Sequence, residues 1–152
     1  MSSGSQKRVL KDFQKLEEEP PAGVSAAPNE QNVMEWNAII IIGPGDTPFE
    51  DGMFRLILQF TELYPNEPPK VRFLSEIFHP NIYCDGSICL DVLGEHWSPA
   101  YDATTILLSI QSLLGDPNPN SPANYDAAKL YIENIKEYRK KVRICVEKTF
   151  QK

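Results

Sequence analysis

The chain has 152 residues, of which 41% are hydrophobic, and this is enough for one globular domain with a buried core. Twenty-one acidic residues against fifteen basic ones give a net charge of -6, which disfavours direct binding to nucleic-acid phosphates. No segment resembles a signal peptide or the roughly 18 apolar residues that a spanning helix needs, so we expect a soluble intracellular protein whose three cysteines are free thiols.

The first half of the chain predicts a helix followed by a sheet. Apolar residues recur at helical spacing from Ser5 to Glu18, and Pro20 ends this amphipathic helix. The segments rich in β-branched and aromatic residues predict four strands, around Val24 and at residues 33–42, 53–60 and 70–73. Turn residues separate them, so we expect a four-stranded antiparallel meander. The step Tyr64–Pro65 is a candidate for a cis peptide bond.

The second half predicts three helices, at residues 104–114, 125–134 and 136–150. Strands in the middle with helices at both ends indicate a single α+β domain spanning residues 1–152. In the first of these helices, Leu108 points away from the apolar face at 100° per residue. An outward leucine is either an ordinary exposed residue or a docking point for a partner.

The turn-rich segment FHPNIYCDGSICLDVLGEHWSP, residues 78–99, holds both histidines and two of the three cysteines. A zinc site would use His79, Cys84, Cys89 and His96, but their spacing is wider than the two to four residues of usual zinc knuckles. A cysteine–histidine nucleophile usually takes its histidine from a distant part of the chain. A thiol that acts without a dedicated base is the third reading.

Such a thiol suffices when the acyl group arrives activated as a thioester. A free cysteine with a pKa of about 8.5 is a few per cent thiolate at neutral pH, and exchange between thioesters is nearly balanced in energy. The reaction then needs placement and a donor that steadies the tetrahedral oxyanion, and an asparagine side chain is suitable.

Several motifs in this region occur together: YPNEPP at residues 64–69, HPN at 79–81, CLD at 89–91, WSP at 97–99 and DPNPNSPAN at 116–124. With them, the chain resembles the ubiquitin-conjugating enzyme family from its first helix to about Phe150. Within the family it is most similar to the post-replication-repair and histone-ubiquitinating class, without the acidic tail of some members. The resemblance implies the α+β fold of that family.

The resemblance also implies a chemistry without metal or organic cofactor, in which ATP is used by the upstream activating enzyme. Cys89 would accept ubiquitin as a thioester, and a substrate lysine would displace it, usually with a RING-type ligase. Asn81 would be the oxyanion donor or, alternatively, a brace for the loop. Five residues would support the loop near the site: His79, Pro80, Asp91, Asn118 and Ser121. Cys84 lies outside the catalytic position, and Cys145 is expected to pack in the last helix.

Ser121 departs from the family pattern, because many members carry an aspartate there beside the incoming lysine. A serine supplies no charge, and the following Pro122 creates a context that proline-directed kinases accept. The simpler interpretation is a turn serine ahead of the helix that begins near Tyr125.

The resemblance also assigns two further sets of residues to partner surfaces. The surface for activating enzyme and ligase would comprise Arg8, Lys11, Tyr64, Pro65, Asn66, Ser98, Pro99 and Ala100. The residues that would contact ubiquitin are Leu108, Ser112 and Ser25. Asn66 replaces a phenylalanine of many members, which weakens the case for ligases that need that ring.

The resemblance implies a monomer that is cytoplasmic and nuclear and modifies proteins such as histones or the replication clamp, in DNA damage tolerance and chromatin modification. It implies no direct nucleic-acid or membrane partner. Two rivals remain: a catalytically idle scaffold that binds ubiquitin or a ligase, and an enzyme for a ubiquitin-like modifier.

Overall fold

The computed structural model describes residues 4–45 and 47–151, and these form the predicted α+β architecture. The elements in chain order are α1 Gly4–Glu18, β1 Val24–Asn29, β2 Asn32–Ile41, β3 Met53–Gln59, β4 Lys70–Phe73, a 3-10 turn Asp91–Leu93, α2 Ala103–Gly115, α3 Tyr125–Glu133 and α4 Ile135–Lys148. The sheet has the order β1-β2-β3-β4 with every pair antiparallel, which confirms the meander. The 3-10 turn was not predicted.

The core forms between the apolar face of the sheet and the apolar face of α2. Along β3 every second residue is buried, so that Phe54, Leu56 and Leu58 point inward. On α2 the buried positions follow the helical period and include Ile106 and Ile110. The sheet therefore presents one face to the core and leaves the other face to solvent.

The first helix is fastened to the start of α2 by charged residues. Asp12 is 4% exposed, and its carboxylate accepts hydrogen bonds from Arg8, from the Tyr64 hydroxyl and from the backbone N–H of Ala103. Lys15 lies 2.7 Å from Asp102, whose side chain also caps α2. The buried carboxylate of Asp12 is thus fully partnered, as a buried charge must be.

The cysteine segment is held against the end of β4 by a tight turn. Phe73 N–H donates to the carbonyl of Gly86 over 2.8 Å, and Gly86 has a φ of +94°. A Cβ at this glycine would lie 2.1 Å from the carbonyl oxygen of Phe73, so no other residue fits without a shift of the backbone. This turn brings the strand-like bridge between Ile82 and Ile88 next to the sheet.

Two smaller predictions are also tested by the structure. The Tyr64–Pro65 peptide bond is cis, which confirms the expectation for that step. Within the described ranges, no helix has the length and apolar character that crossing a membrane demands.

Candidate active site

Cys89 follows the isolated bridge between Ile82 and Ile88, and its backbone is hydrogen-bonded to the HPN motif. Its N–H donates to the carbonyl of Asn81 over 2.8 Å, and its Sγ lies 3.8 Å from the carbonyl oxygen of Ser121. The side chain is partly exposed. The thiol therefore has a fixed position and an open side from which a second molecule can reach it.

Asn81 spans the gap between the cysteine segment and the loop after α2. It is 1% exposed, and its Nδ2 donates to the carbonyls of Asn118 (2.7 Å) and Ser121 (3.1 Å). Its Oδ1 accepts from the N–H of Asn118 over 2.7 Å. Both amide hydrogens and the amide oxygen are thus already used. In this state Asn81 braces the loop, and an oxyanion could bond to it only after one of these contacts opens.

Pro80 connects the same motif to the next helix. Its carbonyl accepts from the N–H groups of Ala123 (2.7 Å) and Asn124 (3.0 Å). Asn124 in turn caps α3 through a 3.0 Å bond from the N–H of Ala127. The loop that carries Ser121 is therefore held at both ends by the HPN motif.

His79 is fully buried and uses both ring nitrogens within the protein. Nδ1 accepts from the N–H of Asn81 over 2.9 Å, and Nε2 donates to the carbonyl of Leu113 over 2.7 Å. Burial lowers the pKa of His79 to about 4, and the Leu113 carbonyl opposes this only in part. The ring is a neutral structural tie, which argues against the cysteine–histidine reading with His79 as base.

The Cys89 thiol opens into a surface groove of about 500 Å³. Its lining residues are Asn81, Cys89, Leu90, Asp91, Gly94, Glu95, His96, Leu113, Asn118 and Ser121. Among them Asp91 accepts a 2.8 Å bond from the N–H of Val92, and its other oxygen lies 3.7 Å from Nδ1 of His96. The groove brings together Cys89 and four of the six other residues predicted around it, while the buried His79 and Pro80 support it from below.

The other two thiols lie elsewhere. Cys84 is exposed and borders a different cavity, of about 470 Å³, below the turn at Gly86. Cys145 is buried on α4, and burial raises the pKa of its thiol. In residues 4–45 and 47–151 no group of three or more histidine, cysteine or acidic side chains is arranged to hold a metal ion.

Only some of the residues predicted to bind activating enzyme and ligase are exposed. Tyr64 is 2% exposed, and its ring packs against Trp97 with centroids 5.9 Å apart, so its side chain offers almost no surface for a partner to contact. It lies beneath the surface because its hydroxyl satisfies Asp12. The side chain of Arg8 is also engaged within the chain, since its guanidinium donates hydrogen bonds to the carbonyls of Pro99 (3.1 Å) and Tyr101 (2.6 Å).

The remaining residues of this set line up on one side of that framework. Lys11 and Asn66 are exposed, Pro65 is half-buried, and the segment 98–100 runs from the half-buried Ser98 to the exposed Ala100. Trp97 Nε1 donates to the carbonyl of Pro65 over 2.9 Å, which joins the two loops. Sequence patterns alone gave no sign of this bond.

Leu108 lies on the outer side of α2, as the helical spacing predicts. It is 38% exposed, whereas Ile106, Leu107 and Ile110 on the same helix are fully buried. Ser112 is exposed one turn further along. Ser25 is exposed on β1 and borders a shallow groove on the solvent face of the sheet, together with Ile39 and Arg55 among others.

Comparisons with known proteins agree with this architecture. The model of the family described as ubiquitin-conjugating enzyme matches residues 8–146. "Ubiquitin-conjugating enzyme E2 2" of Fusarium solani is 58% identical over 151 residues, and its namesake in Neurospora crassa is 57% identical, each match covering 99% of both chains. "Ubiquitin-conjugating enzyme E2 1" of Caenorhabditis elegans is 60% identical over 150 residues, which are 99% of this chain and 78% of that one.

The chain belongs to the ubiquitin-conjugating enzyme family. It is a ubiquitin-conjugating E2 enzyme, whose partners are ubiquitin, an activating enzyme and a ubiquitin ligase.

Proposed function

We propose that Cys89 carries ubiquitin as a thioester and passes it to a lysine of a protein substrate. The observation that carries this proposal is the position of the Cys89 thiol: it is partly exposed in a groove, and its backbone is fixed by a 2.8 Å bond to Asn81. Cys84 stands on an exposed turn at another cavity, and Cys145 is buried, so neither has this combination of access and fixed position.

The reaction has two acyl transfers. The Cys89 thiolate attacks the thioester carbonyl of ubiquitin on the activating enzyme, forms a new C–S bond and releases that enzyme's thiolate. A substrate lysine amine then attacks the Cys89 thioester, forms the amide bond, loses a proton to solvent and releases the Cys89 thiolate. Neither step needs a buried base, which fits a histidine that is neutral and fully hydrogen-bonded inside the loop.

Asn81 acts mainly as a brace that holds the two walls of the groove together. Its three hydrogen bonds to the 118–121 loop support this role. The alternative role as oxyanion donor requires that one Nδ2–H bond, for instance the longer one to Ser121 at 3.1 Å, opens when the lysine attacks. Asp91, Asn118 and Ser121 complete the walls.

Ser121 sets the intrinsic reactivity towards lysine. Its carbonyl faces the thiol, and its exposed side chain brings no negative charge to the groove. A carboxylate or phosphate at this position would favour the approach and desolvation of an ammonium group, so phosphorylation before Pro122 would raise the rate of transfer.

Partner docking uses the exposed surfaces around this centre. The activating enzyme and a RING-type ligase bind at Lys11, Pro65, Asn66, Ser98, Pro99 and Ala100, with Arg8 and Tyr64 holding that surface from within. Leu108 and Ser112 contact the attached ubiquitin on the outer face of α2. Ser25 contributes to a second, non-covalent ubiquitin site on the solvent face of the sheet.

The cellular role we propose is DNA damage tolerance and chromatin modification, in the nucleus and cytoplasm, with histone or replication-clamp lysines as acceptors. Sequence likeness over the full chain to the fungal enzymes named E2 2 supports this assignment, together with the motif YPNEPP and the segment DPNPNSPAN. We further propose that the single domain acts as a monomer.

A charging assay tests the proposal. With activating enzyme, ATP and ubiquitin, the wild-type chain is expected to form an adduct that thiols remove. Cys89→Ser should form a thiol-resistant oxyester, whereas the matched Cys84→Ser variant should charge like the wild type. Normal charging of Cys89→Ala would refute the assignment, and absence of charging in the wild type would favour a scaffold or another modifier.

A further inference from the structure

The groove at Cys89 has an uneven distribution of charge. Of its lining residues, all of them within the described ranges, Asp91 and Glu95 are acidic and none is a lysine or arginine. The opposite wall carries the uncharged Ser121. The negative charge of the groove therefore comes from the segment that follows the cysteine.

The two acids of this segment are not equivalent. Asp91 accepts a hydrogen bond from the N–H of Val92 and lies close to the ring of His96. Glu95 is exposed, and across residues 4–45 and 47–151 its carboxylate forms no hydrogen bond or ion pair. Glu95 is thus the acid of the groove that is free to meet a charge from another molecule.

The backbone around Glu95 is held in place although the side chain is free. The N–H groups of Gly94 and His96 both donate to the carbonyl of Asp91 over 3.0 Å, and Trp97 N–H donates to Gly94 over 3.1 Å. The indole of Trp97 is fixed in turn to Pro65. An ion pair formed at Glu95 would therefore lose little backbone entropy.

We propose that Glu95 is a specificity-determining residue for lysine transfer: its carboxylate pairs with a cationic side chain that neighbours the acceptor lysine. The enzyme then favours lysines within basic segments of a substrate. This inference rests on the proposed thioester at Cys89. An exposed pair of this kind changes a rate by about two- to fivefold, and salt weakens it because the Debye length falls from about 10 Å at 0.1 M to about 3 Å at 1 M.

Three peptides of equal length, each with one lysine, test the idea. They carry arginine, glutamine or glutamate two residues before and after the lysine. The purified ubiquitin thioester is mixed with each peptide after the activating enzyme is quenched, and single-turnover discharge is measured without ligase. The wild type is expected to modify the arginine peptide about two- to fivefold faster than the glutamine peptide, with a smaller ratio at high salt.

Variants at Glu95 and at a control glutamate outside the groove then show whether Glu95 causes the effect. Glu95→Gln should bring the ratio to about one, and Glu95→Arg should reverse it in favour of the glutamate peptide. Glu133→Gln makes the same charge change at an exposed residue at the end of α3, outside the groove, and should keep the wild-type ratio.

Three results would overturn the inference: a wild-type ratio of about one, a ratio that survives Glu95→Gln, or an equal loss in Glu133→Gln. A gel run before peptide addition separates this failure from that of the proposed function. If no thiol-sensitive adduct forms on Cys89, both proposals fail; if it forms but does not discriminate between peptides, only the role of Glu95 fails.

Discussion

Replacing Asn81 by alanine tests whether this residue chiefly braces the loop. The change removes two donated hydrogen bonds and one accepted bond at a side chain that is 1% exposed. At about 1 kcal/mol for each bond the loss is about 3 kcal/mol, and water can rehydrate the loop groups left behind, which brings the expected loss to about 2–3 kcal/mol. For a domain of this size, that is a drop in Tm of about 4–12 °C.

The assay combines urea unfolding with single-turnover discharge of the thioester to lysine. We expect Asn81→Ala to be charged but to lose both stability and discharge, because the walls of the groove separate. Asn120→Ala is the matched control: it lies in the same loop, is exposed, and takes part there through its backbone N–H. It should keep both properties.

The result that would refute the reasoning is a hundredfold slower discharge with a stability change below about 0.5 kcal/mol. That outcome would mean that Asn81 acts on the transition state, where loss of one oxyanion donor costs about 2.7–4 kcal/mol of barrier. Unchanged discharge would contradict both roles.

Three further predictions concern the outer helix face, the loop serine and the buried histidine. Leu108→Ala should cost less than about 1 kcal/mol of stability because the side chain is 38% exposed, yet slow ligase-stimulated discharge; Ile110→Ala, fully buried, should cost about 2–5 kcal/mol, and equal losses in urea unfolding would contradict the assignment. Ser121→Asp should raise single-turnover discharge to free lysine while Ser121→Ala leaves it low, with charging of Cys89 unaffected in both; equal rates would leave only the turn role. The pKa of His79 is lowered to about 4, so the folded state binds a proton at this ring less readily than the unfolded state does. The free energy of unfolding should therefore be highest above pH 6.5 and should fall by about 3 kcal/mol in all as the pH falls towards 4. An NMR titration of the ring with a midpoint near 6.5 would contradict this.

The architecture could be predicted because its signals are local. The alternation in β3 and the helical spacing in α2 each fix an element and its buried face, and Leu108 was placed outward on that basis. Cys89 and Asn81 could be proposed as site residues from the sequence because the motif around them is short and continuous. The six-residue strand from Val24 was predicted only weakly, because its sequence VSAAPN contains a proline and small residues, and its pairing with β2 stabilises it.

What the sequence did not reveal depends on contacts between distant residues. The family resemblance assigns Tyr64 to a partner surface, but its side chain is buried and its hydroxyl donates to Asp12, fifty-two positions away. Arg8 reads as a docking cation, but it donates to carbonyls more than ninety positions along the chain. The three hydrogen bonds that commit the side chain of Asn81 likewise join loops that no local pattern relates.

The most direct test of the central claim is the mass of the adduct formed by a chain that keeps only one thiol. In the Cys84→Ser, Cys145→Ala double variant, Cys89 is the sole cysteine. After incubation with activating enzyme, ATP and ubiquitin, intact mass spectrometry should find the chain plus one ubiquitin minus one water, and thiol treatment should restore the unmodified mass. A folded double variant that gains no ubiquitin while the wild-type chain does would place the thioester on another cysteine and contradict the account.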